Sequence, residues 1–99
     1  MSFQVRISNA AQRDLERLVD FLAPTDYSAA LRARAAIERG YRLLSEMPFA
    51  CRKADPANPF LRELLIPFGG AGCVALFEIE DGTTITVLAV RHQREDDFH

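Results

Sequence analysis

The sequence predicts an α+β fold of two layers, in which an antiparallel hairpin of two helices packs on a mostly antiparallel four-stranded sheet. Three observations predict it: an alternating apolar pattern opens the chain, two stretches with helical apolar spacing follow, and three short alternating stretches come last. The predicted element order is therefore β-α-α-β-β-β. With 99 residues, of which 48% are hydrophobic, the chain can build one core, which predicts a single domain over residues 1–99.

The opening residues predict the first strand and the first helix. Phe3, Val5 and Ile7 alternate with polar side chains, which is typical of a half-buried strand. Ser8 or Asn9 can cap the helix that follows, because short polar side chains accept hydrogen bonds from the first free backbone N–H groups. The apolar stripe of this helix consists of Ala11, Leu15, Leu18, Val19 and Leu22.

A second helix is predicted after a break at residues 23–25, because the residue before a proline avoids the α region. Thr25 or Asp26 can cap it, and it is expected to end at about Met47, because Pro48 follows. The short connection makes the two helices antiparallel neighbours. The apolar stripe of the second helix consists of Ala30, Ala33, Ile37, Tyr41 and Leu44.

The rest of the chain predicts a loop and a three-stranded meander. Residues 48–59 hold three prolines among polar residues, which predicts a loop. The predicted strands and turns are Leu61–Pro67, a glycine-rich turn at Gly69–Gly72, Cys73–Glu80, a two-residue turn of the primed type at Asp81-Gly82, and Thr83–Arg91. A strand follows the glycine-rich segment, so we expect a plain hairpin turn there and not a phosphate cradle.

Composition excludes several classes of function. The net charge is −2 and the isoelectric point is about 5.6, which argues against a protein that binds nucleic acid through its overall charge. Cys51 and Cys73 lack metal-binding or redox spacing, which is typical of thiols in a reducing cytoplasm. Neither a cofactor nor a metal site is predicted. The pattern of a secretion signal or a membrane span is also missing, so we expect a cytoplasmic protein without a membrane partner.

The candidate site residues are cations. Arg62 lies in the strand 61–67, where it either projects toward a phosphate or carboxylate group or is a solvated residue paired with a glutamate, and the latter is favoured. Arg91, His92 and Arg94 lie where the last strand ends. A histidine can transfer protons and an arginine can stabilise phosphoryl charge, so these three could form a metal-free ribonuclease site. Because acidic residues 95–97 follow directly, the residues alone favour a solvated strand end.

Several of these features, taken together, resemble the RelE/ParE toxins of type II toxin–antitoxin systems. They are the element order, the segment Leu61–Gly69, the strand Gly72–Phe77 and, most specifically, the ending Val90-Arg91-His92-Gln93-Arg94-Glu95. The resemblance covers nearly the whole chain. It implies a RelE/ParE-like fold and a small cytoplasmic toxin that causes growth inhibition or plasmid stabilisation and forms a hetero-oligomer with a cognate antitoxin.

The resemblance implies three hypotheses for the activity. The favoured one is a ParE-like growth inhibitor that acts on DNA gyrase. The alternative is a RelE-like, ribosome-dependent and metal-independent mRNA endonuclease, in which Arg62 and Arg91 hold the phosphate and His92 transfers a proton. A second alternative is a decayed toxin retained as an antitoxin-binding module. Leu64 and Phe98 favour the first hypothesis, because ribonuclease relatives carry a cation and commonly a tyrosine at these positions.

The resemblance also implies where a partner binds. We expect an antitoxin segment to become ordered over the exposed side of the helix pair and over the sheet face near Arg62 and Arg91. Arg94 and Phe98 are predicted as further partner contacts.

Overall fold

The computed structural model describes residues 2–68 and 71–92, so that Gly69 and Gly70 of the predicted glycine-rich turn lie outside it. The elements in chain order are β1 (Gln4–Ile7), α1 (Asn9–Leu22), α2 (Tyr27–Glu46), a 3-10 turn (Pro48–Ala50), β2 (Arg52–Asp55), β3 (Asn58–Phe68), β4 (Ala71–Ile79) and β5 (Thr84–His92). The strand order in the sheet is β1-β5-β4-β3-β2, with β1 parallel to β5 and the other neighbouring pairs antiparallel. The predicted α+β fold with two helices on a sheet is confirmed.

Within the described residues the sheet has five strands, so the predicted count of four is wrong. The additional strand is β2, which lies in the segment 48–59 that was expected to be a loop. It pairs with β3 through Arg52 opposite Glu63 and Lys53 opposite Arg62. Because β2 is short, polar and at the edge of the sheet, it needs no alternating apolar pattern, and Pro56 falls in the turn that follows it.

The helix boundaries agree with the predicted caps. Ser8 Oγ accepts a hydrogen bond from Ala11 N at 3.0 Å, and Asp26 Oδ1 accepts one from Ala29 N at 3.0 Å. Both helices end shortly before a proline, as expected. Neither of these helices is long and apolar enough to cross a membrane.

The turn between β4 and β5 is longer than the predicted two-residue turn. Glu80 N donates to Thr84 O at 2.9 Å, which leaves Asp81, Gly82 and Thr83 between them. Asp81 Oδ1 accepts hydrogen bonds from Thr83 N at 2.7 Å and from Thr84 N at 2.9 Å. This side-chain bonding stabilises a three-residue loop, and φ of Gly82 lies outside the left-handed region that a primed turn requires.

The core lies between the helix pair and one face of the sheet. Its most deeply buried side chains are Ala11, Leu18, Ala33, Ile37, Leu44, Cys73, Ala75, Phe77, Ile85, Val87 and Val90. α2 lies close to β3, because Gly40 has no side chain: a Cβ there would come within 2.9 Å of Ile66 Cδ1. In the described part of the chain no helix covers the opposite face of the sheet, whose side chains stay partly exposed.

A bulge in β5 receives the start of α1. The pairing of β4 with β5 shifts between Leu76 and Phe77, which makes Leu88 an additional residue in β5. Ser8, the cap of α1, donates from its backbone N to Val87 O at 3.0 Å and from Oγ to Leu88 O at 3.2 Å. The first turn of α1 is therefore fixed to the bulge.

Asp14 connects α1 to β5 beyond the bulge. It is buried, its Oδ2 accepts a hydrogen bond from Val90 N at 3.0 Å, and its Oδ1 lies 3.0 Å from Arg17 Nη1. β1 ends at Ile7, opposite Val87, so among the described strands none continues along this side of β5. The carboxylate of Asp14 takes the place of that missing strand, because a buried backbone N–H group needs an acceptor.

Replacing Asp14 by alanine is expected to lower the free energy of unfolding by about 1–3 kcal/mol, because Val90 N would be left buried without an acceptor. Asp20→Ala, at an exposed position of the same helix, is the matched control and should change stability by no more than about 0.5 kcal/mol. Urea unfolding followed by circular dichroism measures both variants. Equal stability of the two would contradict the role given to Asp14.

Candidate functional site

Arg62 on β3 is bonded to backbone carbonyl groups. Its Nε donates to Pro59 O at 2.8 Å, and its Nη1 donates to Phe49 O at 3.1 Å and to Cys51 O at 2.8 Å. The guanidinium carbon also lies 5.2 Å from the centre of the Phe49 ring. Arg62 therefore joins the 3-10 turn to the start of β3.

The expected pairing of Arg62 with a neighbouring glutamate is wrong. The adjacent Glu63 lies on the other face of β3 and is paired with Arg52, with 2.6 Å between Oε1 and Nε. Within the described residues, Nη2 is the nitrogen of Arg62 that has no partner. A ligand would therefore meet only one edge of this guanidinium.

The thiol of Cys51, whose carbonyl group binds Arg62, is buried. Burial raises the pKa of the Cys51 thiol, and the positive charge of Arg62 opposes that rise only in part. A raised pKa keeps the thiol protonated at neutral pH, and the thiolate is the reactive form. In residues 2–68 and 71–92, no three His, Cys, Asp or Glu side chains are arranged to hold a metal ion.

Arg91 and His92 are neighbours on β5 that point to opposite faces of the sheet. Arg91 is opposite Val74 and is exposed on the face without helices. His92 is opposite Cys73 on the helix-facing side, is only 1% exposed, and its ring lies 5.8 Å from the ring of Phe21 on α1. The imidazole of His92 is therefore part of the packing between α1 and β5.

The structure does not bring the three predicted catalytic residues together. Arg62 is opposite the buried Phe77, which places it on the helix-facing side and on the opposite face from Arg91. His92 shares the face of Arg62, but the two side chains are far apart along the sheet. On β4, His92 is opposite Cys73, which lies four positions from Phe77, the residue opposite Arg62. Four positions correspond to about 13 Å along a strand. The other predicted contacts, Arg94 and Phe98, lie outside the described residues.

The face of the sheet without helices, called here the open sheet face, has an apolar centre. Its side chains from β3, β4 and β5 include Leu61, Glu63, Leu65, Pro67, Val74, Leu76, Glu78, Thr86, Ala89 and Arg91. Leu65 is half-exposed, and the Arg52–Glu63 ion pair and Arg91 border the apolar centre. Contiguous half-exposed apolar side chains with a polar border are typical of a protein interface.

A groove at one end of the molecule was missed by the sequence reasoning. It has a volume of about 260 Å³ and is lined by Phe49, Phe60, Ile79, Glu80, Asp81 and Gly82. Two phenylalanines in the polar, proline-rich neighbourhood of residues 48–60 were the available signal, because a large aromatic residue in a loop often has a binding role. We call this site the aromatic groove.

Comparison with known proteins places the chain in a family. The sequence model of the ParE toxin of type II toxin–antitoxin systems, parDE, matches residues 5–97. The chain belongs to this family. The toxin is 33% identical over 95 residues to Toxin RelE1 of Caulobacter vibrioides. The aligned residues make up 96% of this chain and 98% of that relative. The predicted membership of the RelE/ParE superfamily is confirmed.

A solved structure supports the fold. The toxin superposes on a chain of the chromosomal ParDE toxin–antitoxin system from P. aeruginosa with a TM-score of 0.72 and 18% sequence identity. The match covers 92% of this toxin and 96% of that chain. At this level of identity, the similarity concerns the arrangement of helices and strands.

Replacing Arg62 by methionine is expected to lower the free energy of unfolding by about 1–3 kcal/mol, because carbonyl groups of the 3-10 turn and β3 lose their donor. Amides of residues 49–55 should also exchange faster with deuterium. Arg91→Met removes the same group from the exposed face and should change stability by no more than about 0.5 kcal/mol. If both variants are equally stable in urea, the structural role of Arg62 is refuted.

Proposed function

We propose that this toxin inhibits growth by binding DNA gyrase in the cytoplasm, and that a cognate antitoxin silences it. The observation that supports the proposal most is the separation of the charged residues over the two faces of the sheet. A metal-independent ribonuclease needs its phosphate-binding cation and its proton-transfer group within reach of one phosphate. Arg91 lies on the open sheet face, whereas Arg62 and His92 lie on the helix-facing side.

The surroundings of Arg62 and His92 support the same conclusion. His92 is 1% exposed, so an RNA hydroxyl could reach its imidazole only after the residues packed around it had moved. Arg62 uses Nε and Nη1 for backbone carbonyl groups, which leaves one nitrogen for a phosphate. A toxin that acts by binding a protein catalyses no reaction, so it needs neither the guanidinium of Arg62 nor the imidazole of His92 to contact a substrate.

The comparisons support gyrase as the expected target. The family model that matches the chain is that of the ParE toxins, the branch of the superfamily for which the resemblance implies binding to gyrase. The structure from P. aeruginosa with the same fold is a ParDE system.

A second candidate function is the ribosome-dependent mRNA endonuclease. It is favoured by the similarity to a relative named Toxin RelE1 and by the exposed guanidinium of Arg91. In this mechanism Arg91 would hold a phosphate of the message, and His92 would have to leave the core to transfer a proton.

The cognate antitoxin is proposed to cover the open sheet face. The apolar centre of this face is extended, and the exposed cation Arg91 lies beside Val74. An antitoxin segment that becomes ordered on binding would place apolar side chains on Leu65 and Val74 and an acidic side chain near Arg91. Arg94 and Phe98 stay predicted contacts of this segment, and the assembly is a hetero-oligomer.

The proposal predicts that purified toxin, separated from its antitoxin, inhibits the supercoiling of relaxed plasmid DNA by gyrase. Addition of the antitoxin should restore supercoiling. The His92→Gln variant should inhibit as well as the unmodified toxin when it is equally folded by circular dichroism, because His92 touches no target in this mechanism. Full supercoiling in an excess of folded toxin would contradict the proposal.

A further inference from the structure

The aromatic groove lies at one end of the sheet, where the 3-10 turn, the start of β3 and the β4–β5 turn meet. Ile79 in its lining faces the helices, whereas Glu80 accepts a hydrogen bond from Thr86, which lies opposite Glu78 on the open sheet face. The groove therefore adjoins one end of the open sheet face.

The side chains proposed to bind the antitoxin lie toward the other end of that face. Val74, which is opposite Leu65 and Arg91, is five positions from Ile79 along β4, about 17 Å in a strand. A protein bound in the groove would leave these side chains accessible.

The two phenylalanines of the groove are exposed and held in place. Phe49 is 54% exposed and Phe60 is 50% exposed. Phe49 packs under the guanidinium of Arg62, which also binds its carbonyl group. Asn58 Oδ1 accepts a hydrogen bond from Phe60 N at 3.0 Å, which fixes the start of β3. A partner would therefore meet aromatic side chains that are already positioned, which lowers the entropic cost of binding.

The rim of the groove is negatively charged. Both charged residues that line it, Glu80 and Asp81, are acidic. Hydrogen bonds from Thr83 lower the pKa of the exposed Asp81, so it stays ionised at neutral pH. Glu80 accepts a hydrogen bond from Thr86 Oγ1 through Oε2 at 2.7 Å. An apolar floor with an acidic rim matches an apolar side chain of a partner protein that has a Lys or Arg residue next to it.

We propose that the aromatic groove is the surface with which the toxin binds its protein target, and that it takes an apolar side chain flanked by Lys or Arg on a loop of that target. The groove is small and preformed, which fits a protruding side chain of a folded protein. The open sheet face is extended, which fits an antitoxin segment that folds on binding. The inference rests on the proposed function, in which the target is a protein and gyrase is the expected one.

Two substitutions in the groove test the inference. Phe60→Ala removes an aromatic wall, and Glu80→Arg reverses the charge of the rim. Matched controls are Tyr27→Ala, at a side chain that is 67% exposed on α2, and Glu38→Arg, at an exposed position of α2. Each variant is compared with the unmodified toxin by circular dichroism, by growth after induction, and by binding to purified gyrase and to purified antitoxin.

Phe60→Ala and Glu80→Arg should each weaken binding to gyrase on the order of tenfold or more and relieve growth inhibition. Their affinity for the antitoxin should equal that of the two controls. A third variant, Leu65→Arg on the open sheet face, should show the reverse pattern, with weak antitoxin binding and full growth inhibition. Two independent groove variants keep the test valid if one of them folds poorly.

The inference is overturned if both groove variants inhibit growth as strongly as their controls. It is also overturned if they lose antitoxin binding together with growth inhibition, because the groove would then belong to the antitoxin. Unmodified toxin that stops growth without binding gyrase would refute gyrase as the target. In that case, loss of growth inhibition in the groove variants would still show that the groove binds the target, and full growth inhibition would show that it does not.

Discussion

The hydrogen bond from the backbone of Val90 to the buried carboxylate of Asp14 is the interaction on which the placement of the charged residues depends. It fixes the end of β5 to α1 after the bulge at Leu88. Ile85 and Val87 face the core before the bulge, and strict alternation would continue inward with Ala89 and Arg91. The additional residue reverses this, so that Arg91 is exposed on the open sheet face.

The same reversal turns His92 inward, against the ring of Phe21. One additional residue in a strand thus decides which of two adjacent polar side chains a partner can reach. Arg62 stays on the helix-facing side in any case, because the pairing of β3 with β4 is regular and places it opposite Phe77. The toxin consequently presents a cation and an apolar surface on one face, and keeps His92 buried on the helix-facing side.

The sequence predicted those parts of the fold that depend on local chemistry. The caps at Ser8 and Asp26 and the proline-terminated helix ends are local features, and they are confirmed. β2 was missed because an edge strand of polar residues has no apolar alternation. The bulge was missed because residues 87–90 are all apolar, and an additional residue in such a run changes no pattern. The partners of Arg62 were missed because one of them, Phe49, lies 13 residues away in a turn that only the fold brings close.

The two surfaces give the cationic residues new roles. Arg91 lies on the open sheet face, which is proposed for the antitoxin. Arg62 lies behind the aromatic groove, where it positions Phe49 by stacking and by a hydrogen bond to its carbonyl group. A residue first considered for phosphate binding therefore supports the groove that is proposed to bind the protein target. This division of surfaces agrees with a family of toxins that is regulated by a second protein.

In the proposed function, this toxin acts by binding a protein and does not cut RNA. A reconstituted translation reaction tests this proposal: folded toxin, freed of antitoxin, is added in excess over ribosomes, and the 5′ ends of the message are mapped by primer extension. The message should stay intact, with no toxin-dependent ends in the codon of the ribosomal A site. New ends that appear with the toxin and disappear with His92→Gln or Arg91→Met would contradict it.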